Sequence, residues 1–332
     1  MNKKIASLYR VHRPTKFSEI VGQEHITKTL ANQIKSGQIG HAYLFCGTRG
    51  TGKTSVAKIF AREVNENKSC DLDIFELDAA SNNRVEDVRD IIEKVKYPPV
   101  SAKYKVYIVD EVHMFSGSAF NAFLKTLEEP PSHVIFILAT TEPHKLPATV
   151  LSRCLRFDFR AASVKEIVTL LQRVFKKENI KAEPEAIELL AAAGQGSFRD
   201  ALSFAETVAS FSPDEITADA VTKVLGAVDK KVLQTLLDAI IKSDIKKITE
   251  IVQNIFSVGR NTNAVVKDFL EIVKIEYVKT NDKKLTSEAS KTSSEAKRLL
   301  DIYRQFAELE TNIKTAQDAA AMFEGVCLLC TI

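Results

Sequence analysis

The run from Ala42 to Ser55 constrains this chain more than any other. A short apolar segment, Ala42-Tyr43-Leu44-Phe45-Cys46, breaks into Gly47-x-x-x-x-Gly52-Lys53-Thr54, and a helix-like segment follows to Ala61. Strand, glycine loop and helix in that order make a phosphate-binding loop. The glycines let backbone N–H groups turn inward around phosphates, and the helix N-terminus adds partial positive charge. Lys53 then reaches the β- and γ-phosphates, and the Thr54 hydroxyl sits on Mg²⁺. Gly47, Gly50, Thr51, Gly52 and Ser55 complete the loop. A bare glycine turn before a helix would look the same locally, so the other half of the site has to be found elsewhere.

It lies in Tyr104–His113, a β-rich run that ends in Asp110-Glu111. At a strand end Asp110 can hold Mg²⁺ through water, and Glu111 can orient or deprotonate an attacking water. An acidic strand-to-loop cap would explain the pair alone. Together with the glycine loop it points to nucleotide hydrolysis.

Around these two anchors the pattern alternates. Asp73–Asp78 reads as a strand, Val85–Val95 as a helix capped by Ser81 or Asn82 and stopped by Pro98-Pro99, and Ala119–Glu129 as a helix stopped by Pro130-Pro131. Val134–Ala139 is almost continuously apolar, as expected of a parallel strand covered on both faces. A helix at Ala148–Leu151 and a strand at Leu155–Phe159 follow, so residues 1–161 are expected to form an α/β domain with a parallel sheet. The β signal then vanishes. Residues 162–227 carry about four helical segments, and residues 228–332 more amphipathic helices, with Thr280–Ser294 read as an exposed loop. Arg199 falls in the first turn of a helix opened by Ser197, where positive charge opposes the helix dipole, which suggests that it serves a ligand.

Composition removes several alternatives. A net charge of +3 carries no global polyanion signature, so any nucleic-acid contact has to be local. The first eighteen residues do hold Lys3, Lys4, Arg10, Arg13 and Lys16 without an acid, and such an arm ahead of the phosphate loop can wrap an adenine. No apolar run spans a membrane and no signal peptide is visible, and five scattered cysteines fit a reduced, cytoplasmic chain. Cys327 and Cys330 have redox spacing but lie in an apolar helical stretch, so core packing is the expectation.

Four segments together resemble the gamma/tau subunits of bacterial DNA polymerase III, AAA+ ATPases of the sliding-clamp loader. They are Leu8-Tyr9-Arg10…Arg13-Pro14…Phe17…Val21-Gly22-Gln23; Gly47–Thr54; Asp110–Met114 with Asn121–Pro131; and Ala139-Thr140-Thr141 with Leu151-Ser152-Arg153-Cys154. The Leu-Lys-Thr-Leu-Glu-Glu-Pro-Pro run and Ser-Arg-Cys make the match specific. The resemblance implies an AAA+ fold with a helical lid and a helical collar that assembles the ring. It implies ATP and Mg²⁺ as ligands, Thr141 as sensor 1, Arg199 as sensor 2, and Arg153 as an arginine finger acting in trans. Arg10, Arg13, Val21 and Gly22 would form the adenine side. The implied partners are delta, delta-prime and further gamma-type copies, the sliding clamp and primed-template DNA, which Arg84 and Lys103 could touch, and no membrane.

Two departures stand out. The family usually carries a four-cysteine zinc module after the phosphate-loop helix. Here Arg62–Leu72 holds only Cys70, so no structural zinc is expected. His12 stands where the family often has an aromatic residue. The end at residue 332 suggests a gamma-type form without the tau tail. Two rival readings are a branch-migration helicase, which should lack the Glu-Glu-Pro-Pro run, and a non-hydrolysing delta-prime-like scaffold, which should lack a working phosphate loop.

Overall fold

Five strands carry the first part of the chain: β1 (Ala42–Cys46), β2 (Ile74–Asp78), β3 (Lys105–Asp110), β4 (Val134–Thr140) and β5 (Leu155–Asp158). They form one sheet in the order β2-β3-β4-β1-β5, with every neighbouring pair parallel. This computed structural model describes residues 7–66, 70–226, 228, 230–257, 262–282, 291–313, 316 and 318–331. Lys3 and Lys4 of the basic arm lie outside the described residues.

The two-residue strand period explains the layers. Tyr43 and Phe45, Val106 and Ile108, and Ile135 and Ile137 all point to one face, where they pack on α2 (Glu24–Ser36) and α3 (Lys53–Glu63). Leu44 and Cys46, Tyr107 and Val109, and Phe136 and Leu138 point to the other, against α4 (Val85–Val95), α5 (Gly117–Glu128) and α6 (Ala148–Leu151). Both faces are covered, which is why β4 is buried along its whole length. The strands are parallel, so the glycine loop after β1, Asp110 and Glu111 after β3, and Thr141 after β4 reach the same edge of the sheet.

The chain divides into two compact units, Met1–Thr217 and Ala218–Ile332. The first also holds α1 (Leu8–Val11), α7 (Val164–Glu178), α8 (Pro184–Ala193) and α9 (Phe198–Phe211). Ser163 starts α7 with a capping box: its hydroxyl accepts from the Glu166 N–H, and the Glu166 carboxylate returns to Ser163. The second unit contains α10 (Ala218–Leu225), α11 (Lys230–Ile241), α12 (Ile245–Phe256), α13 (Thr262–Asp282), α14 (Lys291–Asn312) and α15 (Ala319–Leu329). Its core gathers Phe269, Phe306 and Phe323, with the Phe269 and Phe306 ring centroids 4.5 Å apart. Cys327 is buried in the same core and Cys330 packs on it, and burial pushes the Cys330 thiol up to about 11. The CxxC spacing is therefore a helix burying one face. Among the described residues, no helix is long and apolar enough to cross a membrane.

Two local expectations are corrected. Neither Ser81 nor Asn82 caps α4. Arg84 occupies the cap position, and its backbone N–H donates to the Asp87 carboxylate at 3.1 Å. Ser81 and Asn82 instead belong to the turn that closes on the Asp78 carbonyl. The polar stretch Thr280–Ser294 is not all loop either, since α13 runs to Asp282 and α14 begins at Lys291. Polar composition hid these ends because it does not by itself distinguish a helix end from a loop; residues 283–290 lie outside the described residues.

Asp73, at the start of β2, is fully buried, and its carboxylate accepts from the N–H groups of Val100 (2.7 Å), Ser101 (2.9 Å) and Ala102 (2.9 Å). Burial pushes its pKa up, but these hydrogen bonds outweigh burial and hold it below the usual carboxylate value. Asp73→Asn should destabilise the protein by about 2 kcal/mol at neutral pH, because the loop loses a charged acceptor shared by several donors. A depressed folded pKa gives stability that is present above the unfolded value and lost as pH falls through the folded one. The gap between wild type and variant in denaturant unfolding should therefore be full at neutral pH and shrink below about pH 4. A gap that is constant across that range would exclude the ionised carboxylate as its source.

Candidate nucleotide-binding site

A cavity of about 600 Å³ opens where the sheet edge meets the N-terminal arm and helices α7 and α9. The glycine loop lines its floor from Arg49 to Ser55, with Asp110 and Glu111 beside it. The arm contributes Tyr9, Arg10, His12, Arg13, Pro14, Glu19, Ile20 and Val21, and the helices contribute Leu170, Arg173, Phe198, Arg199 and Leu202. Arg10, Arg13, Arg49, Lys53, Arg173 and Arg199 face only Glu19, Asp110 and Glu111, so the lining carries excess positive charge although the chain as a whole does not.

Lys53 is only 6% exposed, and its ammonium donates to the carbonyls of Gly47 (2.7 Å) and Thr48 (3.0 Å). Burial lowers its pKa, while Glu111 and Asp110 pull it back up. The carbonyls hold the charge where incoming phosphate oxygens can replace them. Gly50 and Gly52 adopt left-handed φ values of +77° and +102°, which other residues rarely take. A side chain on Gly50 would also collide with Ser197, and the Gly50 carbonyl accepts from the Phe198 N–H at 3.0 Å. The loop is thus joined directly to the start of α9. Gly47 lies against the Phe159 carbonyl, which a Cβ there would strike.

The Thr54 hydroxyl donates to Asp110 Oδ2 at 2.8 Å. Two hard oxygen donors facing each other beside a phosphate cradle suit Mg²⁺, which takes few protein ligands and completes its shell with water and phosphate. Glu111 has φ +49° and sits between β3 and a 3-10 turn, a left-handed position that turns its side chain along the sheet edge. Its Oε2 accepts from the Thr141 hydroxyl at 3.1 Å and the Thr141 N–H at 3.3 Å. His113 Nδ1 lies 3.4 Å from the same oxygen and 3.0 Å from Thr140 Oγ1.

The arm is pinned from both sides. Arg13 Nε donates to Ser55 Oγ at 3.1 Å, and burial lowers the Arg13 pKa. The Leu8 N–H donates to Glu206 Oε2 at 3.0 Å, and His12 Nε2 lies 2.7 Å from Glu178 Oε1. The Arg199 guanidinium lies 5.8 Å from the Tyr9 ring centroid, and that of Arg10 5.7 Å from the same centroid.

The structure therefore gathers Arg10, Arg13, Val21, Gly50, Thr51, Gly52, Lys53, Thr54, Ser55, Asp110, Glu111 and Arg199 around one cavity. Gly22, Gly47, Thr141 and Arg153 do not line it. Gly22 instead meets Glu166, whose carboxylate would stand 2.7 Å from a Cβ there. Thr141 touches the site through Glu111, and Arg153 lies elsewhere in the same unit, paired with Glu128. Sequence reasoning passed over Tyr9, Leu170, Arg173, Phe198 and Leu202. The spacing of Leu170 to Arg173 and of Phe198 to Leu202, three and four residues, could have marked them as one helix face each. Among the described residues, no group of three or more His, Cys, Asp or Glu side chains is placed to hold a metal ion, and Cys70 is buried.

Family models match along the chain. One described as DNA polymerase III, delta subunit, matches residues 22–73 and 61–163. A second, the ATPase lid domain of the DNA polymerase III clamp loader subunit, matches residues 166–211, and a third, domain III of DNA polymerase III subunits gamma and tau, residues 216–319. The chain is 44% identical over 282 residues to DNA polymerase III subunit tau of Bacillus subtilis, covering 80% of this chain and 50% of that one. It is 40% identical to the tau subunit of Escherichia coli, covering 80% of this chain and 44% of that one. It is 37% identical to DNA polymerase III subunit gamma of Buchnera aphidicola from Acyrthosiphon pisum, covering 82% and 80%. The chain thus spans about half the length of the tau relatives and most of the gamma relative. Among solved structures, the Thermotoga maritima RuvB Holliday junction branch migration motor superposes with a TM-score of 0.54 at 23% identity, over 68% of this chain and 79% of that one, a likeness of fold.

Proposed function

Because this chain belongs to the gamma/tau family of DNA polymerase III subunits, we propose that it is an ATPase subunit of the clamp loader, coupling ATP binding and hydrolysis to opening and loading of the sliding clamp on primed DNA. The observation that carries the reading is the single cavity in which Lys53, the Thr54–Asp110 pair, Glu111 and Arg199 converge from three elements. Residues 1–161 would be the ATPase domain, 162–227 the lid and 228–332 the collar that holds the ring. Its partners would be delta, delta-prime and further copies of this chain, in the bacterial cytoplasm.

The residues divide the work. Thr54 and Asp110 are the groups that would hold Mg²⁺, which would neutralise phosphate charge. Lys53 exchanges its two carbonyl partners for phosphate oxygens. Glu111 orients the attacking water and takes its proton. Thr141, bonded to Glu111, holds that carboxylate and reports whether a γ-phosphate is present. Arg199 moves with α9, so γ-phosphate contact would draw the lid onto the nucleotide. Ile20, Val21, Leu170 and Leu202 offer an apolar surface for the adenine, and Arg10 and Arg13 line the same cavity. Arg153 acts on the ATP of a neighbouring subunit. Arg84 and Lys103 are exposed and are candidate contacts to DNA phosphates.

The delta-subunit model matches residues 22–163, which brings in the scaffold reading. Lys53, Thr54 and Glu111 are all in place here, and they favour a hydrolysing subunit. Steady-state ATP turnover, measured with delta and delta-prime partners, should rise strongly only when sliding clamp and primed-template DNA are both added. Turnover indifferent to the clamp would point to another AAA+ machine, and none in any mixture would favour the scaffold.

A further inference from the structure

Arg153 does not hang free. It follows α6, and its backbone N–H closes on the Val150 carbonyl at 3.1 Å. Leu151 and Cys154 on either side pack against the core between the sheet and α5, which fixes the backbone. The guanidinium is held at three points. Nη1 donates to the Thr149 carbonyl (2.7 Å) and to Ser152 Oγ (3.3 Å), and Nη2 pairs with Glu128 Oε1 at 2.7 Å. A guanidinium has five N–H donors in one rigid plane. The two hydrogen bonds use Nη1, and Glu128 holds Nη2 as an ion pair. Nε and Nη2 make no hydrogen bond among the described residues and keep their N–H groups for a ligand, and one-third of the side chain is exposed (33%).

Glu128 is the other unusual member. It is the last residue of α5, at the negative end of the helix dipole, where a carboxylate is disfavoured. It is also 47% exposed, so its pairing with Arg153 adds little to the stability of the fold. Stability does not explain its place, but aiming the guanidinium does. We infer that Glu128 is a positioning residue: it sets the plane of Arg153 so that its remaining donors face the transferring phosphoryl group of the neighbouring subunit. This rests on the reading of Arg153 as a trans-acting group. Glu128 itself touches no nucleotide. It removes the search for an orientation that the transition state would otherwise have to await.

The test uses the assembled complex with clamp and primed DNA, reading kcat and KM for ATP. Glu128→Ala should lower kcat about tenfold, the scale of a modest misplacement of a catalytic group, and leave KM unchanged because the interaction is made only in the transition state. Glu128→Gln keeps an acceptor for Nη2 and should recover most of the rate. In an Arg153→Ala background, Glu128→Ala should add nothing. Thermal unfolding should be the same for all of these variants, whereas a merely structural Glu128 would shift it and leave kcat alone. An unchanged or raised kcat for Glu128→Ala, with Arg153→Ala still inactive, overturns the inference and leaves the finger standing. If Arg153→Ala turns over normally, the finger reading falls and the role of Glu128 falls with it.

Discussion

Lys53→Ala should abolish nucleotide binding and reduce ATP turnover by at least about 10²–10³-fold, the loss that follows removal of one preorganised charge or donor from a phosphoryl or oxyanion site. The geometry gives the reason. The Lys53 ammonium rests on the Gly47 and Thr48 carbonyls, at the floor of the cavity and almost out of water. Its neighbours in the field are carboxylates, Glu111 and Asp110, which without the lysine would repel the phosphates. The variant therefore loses an attraction and gains a repulsion at one point. Folding should be spared, because the lysine's hydrogen bonds go to two carbonyls of the glycine loop and its side chain is not part of the apolar core. Titration with a fluorescent ATP analogue, beside a thermal melt, separates the two effects. Wild-type affinity in the variant would mean that the nucleotide is held elsewhere. Lys53→Arg should not restore activity, since the planar guanidinium cannot take the place of a compact ammonium between those carbonyls.

The same residues show how much could be read from the chain. The phosphate loop and the Asp110-Glu111 pair were legible because their chemistry is local: each needs a strand end and a fixed set of neighbours in sequence. The parallel sheet was legible from Val134–Ala139, which has no polar face to alternate with. The walls of the site were less so. Tyr9 and Arg199 meet only because the Leu8 N–H reaches Glu206 and the Phe198 N–H reaches Gly50, and neither bond leaves a signature in composition. Gly22 and Gly47 carry the same left-handed or strained signal as Gly50, yet their space is taken by Glu166 and Phe159. A glycine in a motif thus marks a close approach without saying of what. The cap of α4 was misplaced for a related reason. Ser81 and Asn82 are good caps by type, but a tight turn on the Asp78 carbonyl had already used them. Arg199 was the opposite case: a charge in the wrong place for its own helix was the trace of a group facing the cavity.

Arg153→Ala should leave ATP binding by each chain intact and cut stimulated turnover in the assembled complex by about 10³–10⁵-fold, the range for an arginine acting on a transferring phosphoryl group. Two features of the structure set this expectation apart from that for Lys53. Arg153 lines no part of the cavity, so its loss cannot weaken nucleotide contacts within the chain. Its partner Glu128 is 47% exposed, so the carboxylate left behind is solvated and the fold is spared. The expected signature is full affinity with lost turnover, seen only where subunits adjoin. Mixing the variant with subunits carrying an intact Arg153 but Lys53→Ala sharpens it further. Intact fingers would then face intact nucleotide sites at some interfaces, and turnover should return in proportion to them. No return in any mixture, or weakened ATP binding by the single variant, would place Arg153 in the architecture of its own subunit and remove the neighbour from the chemistry.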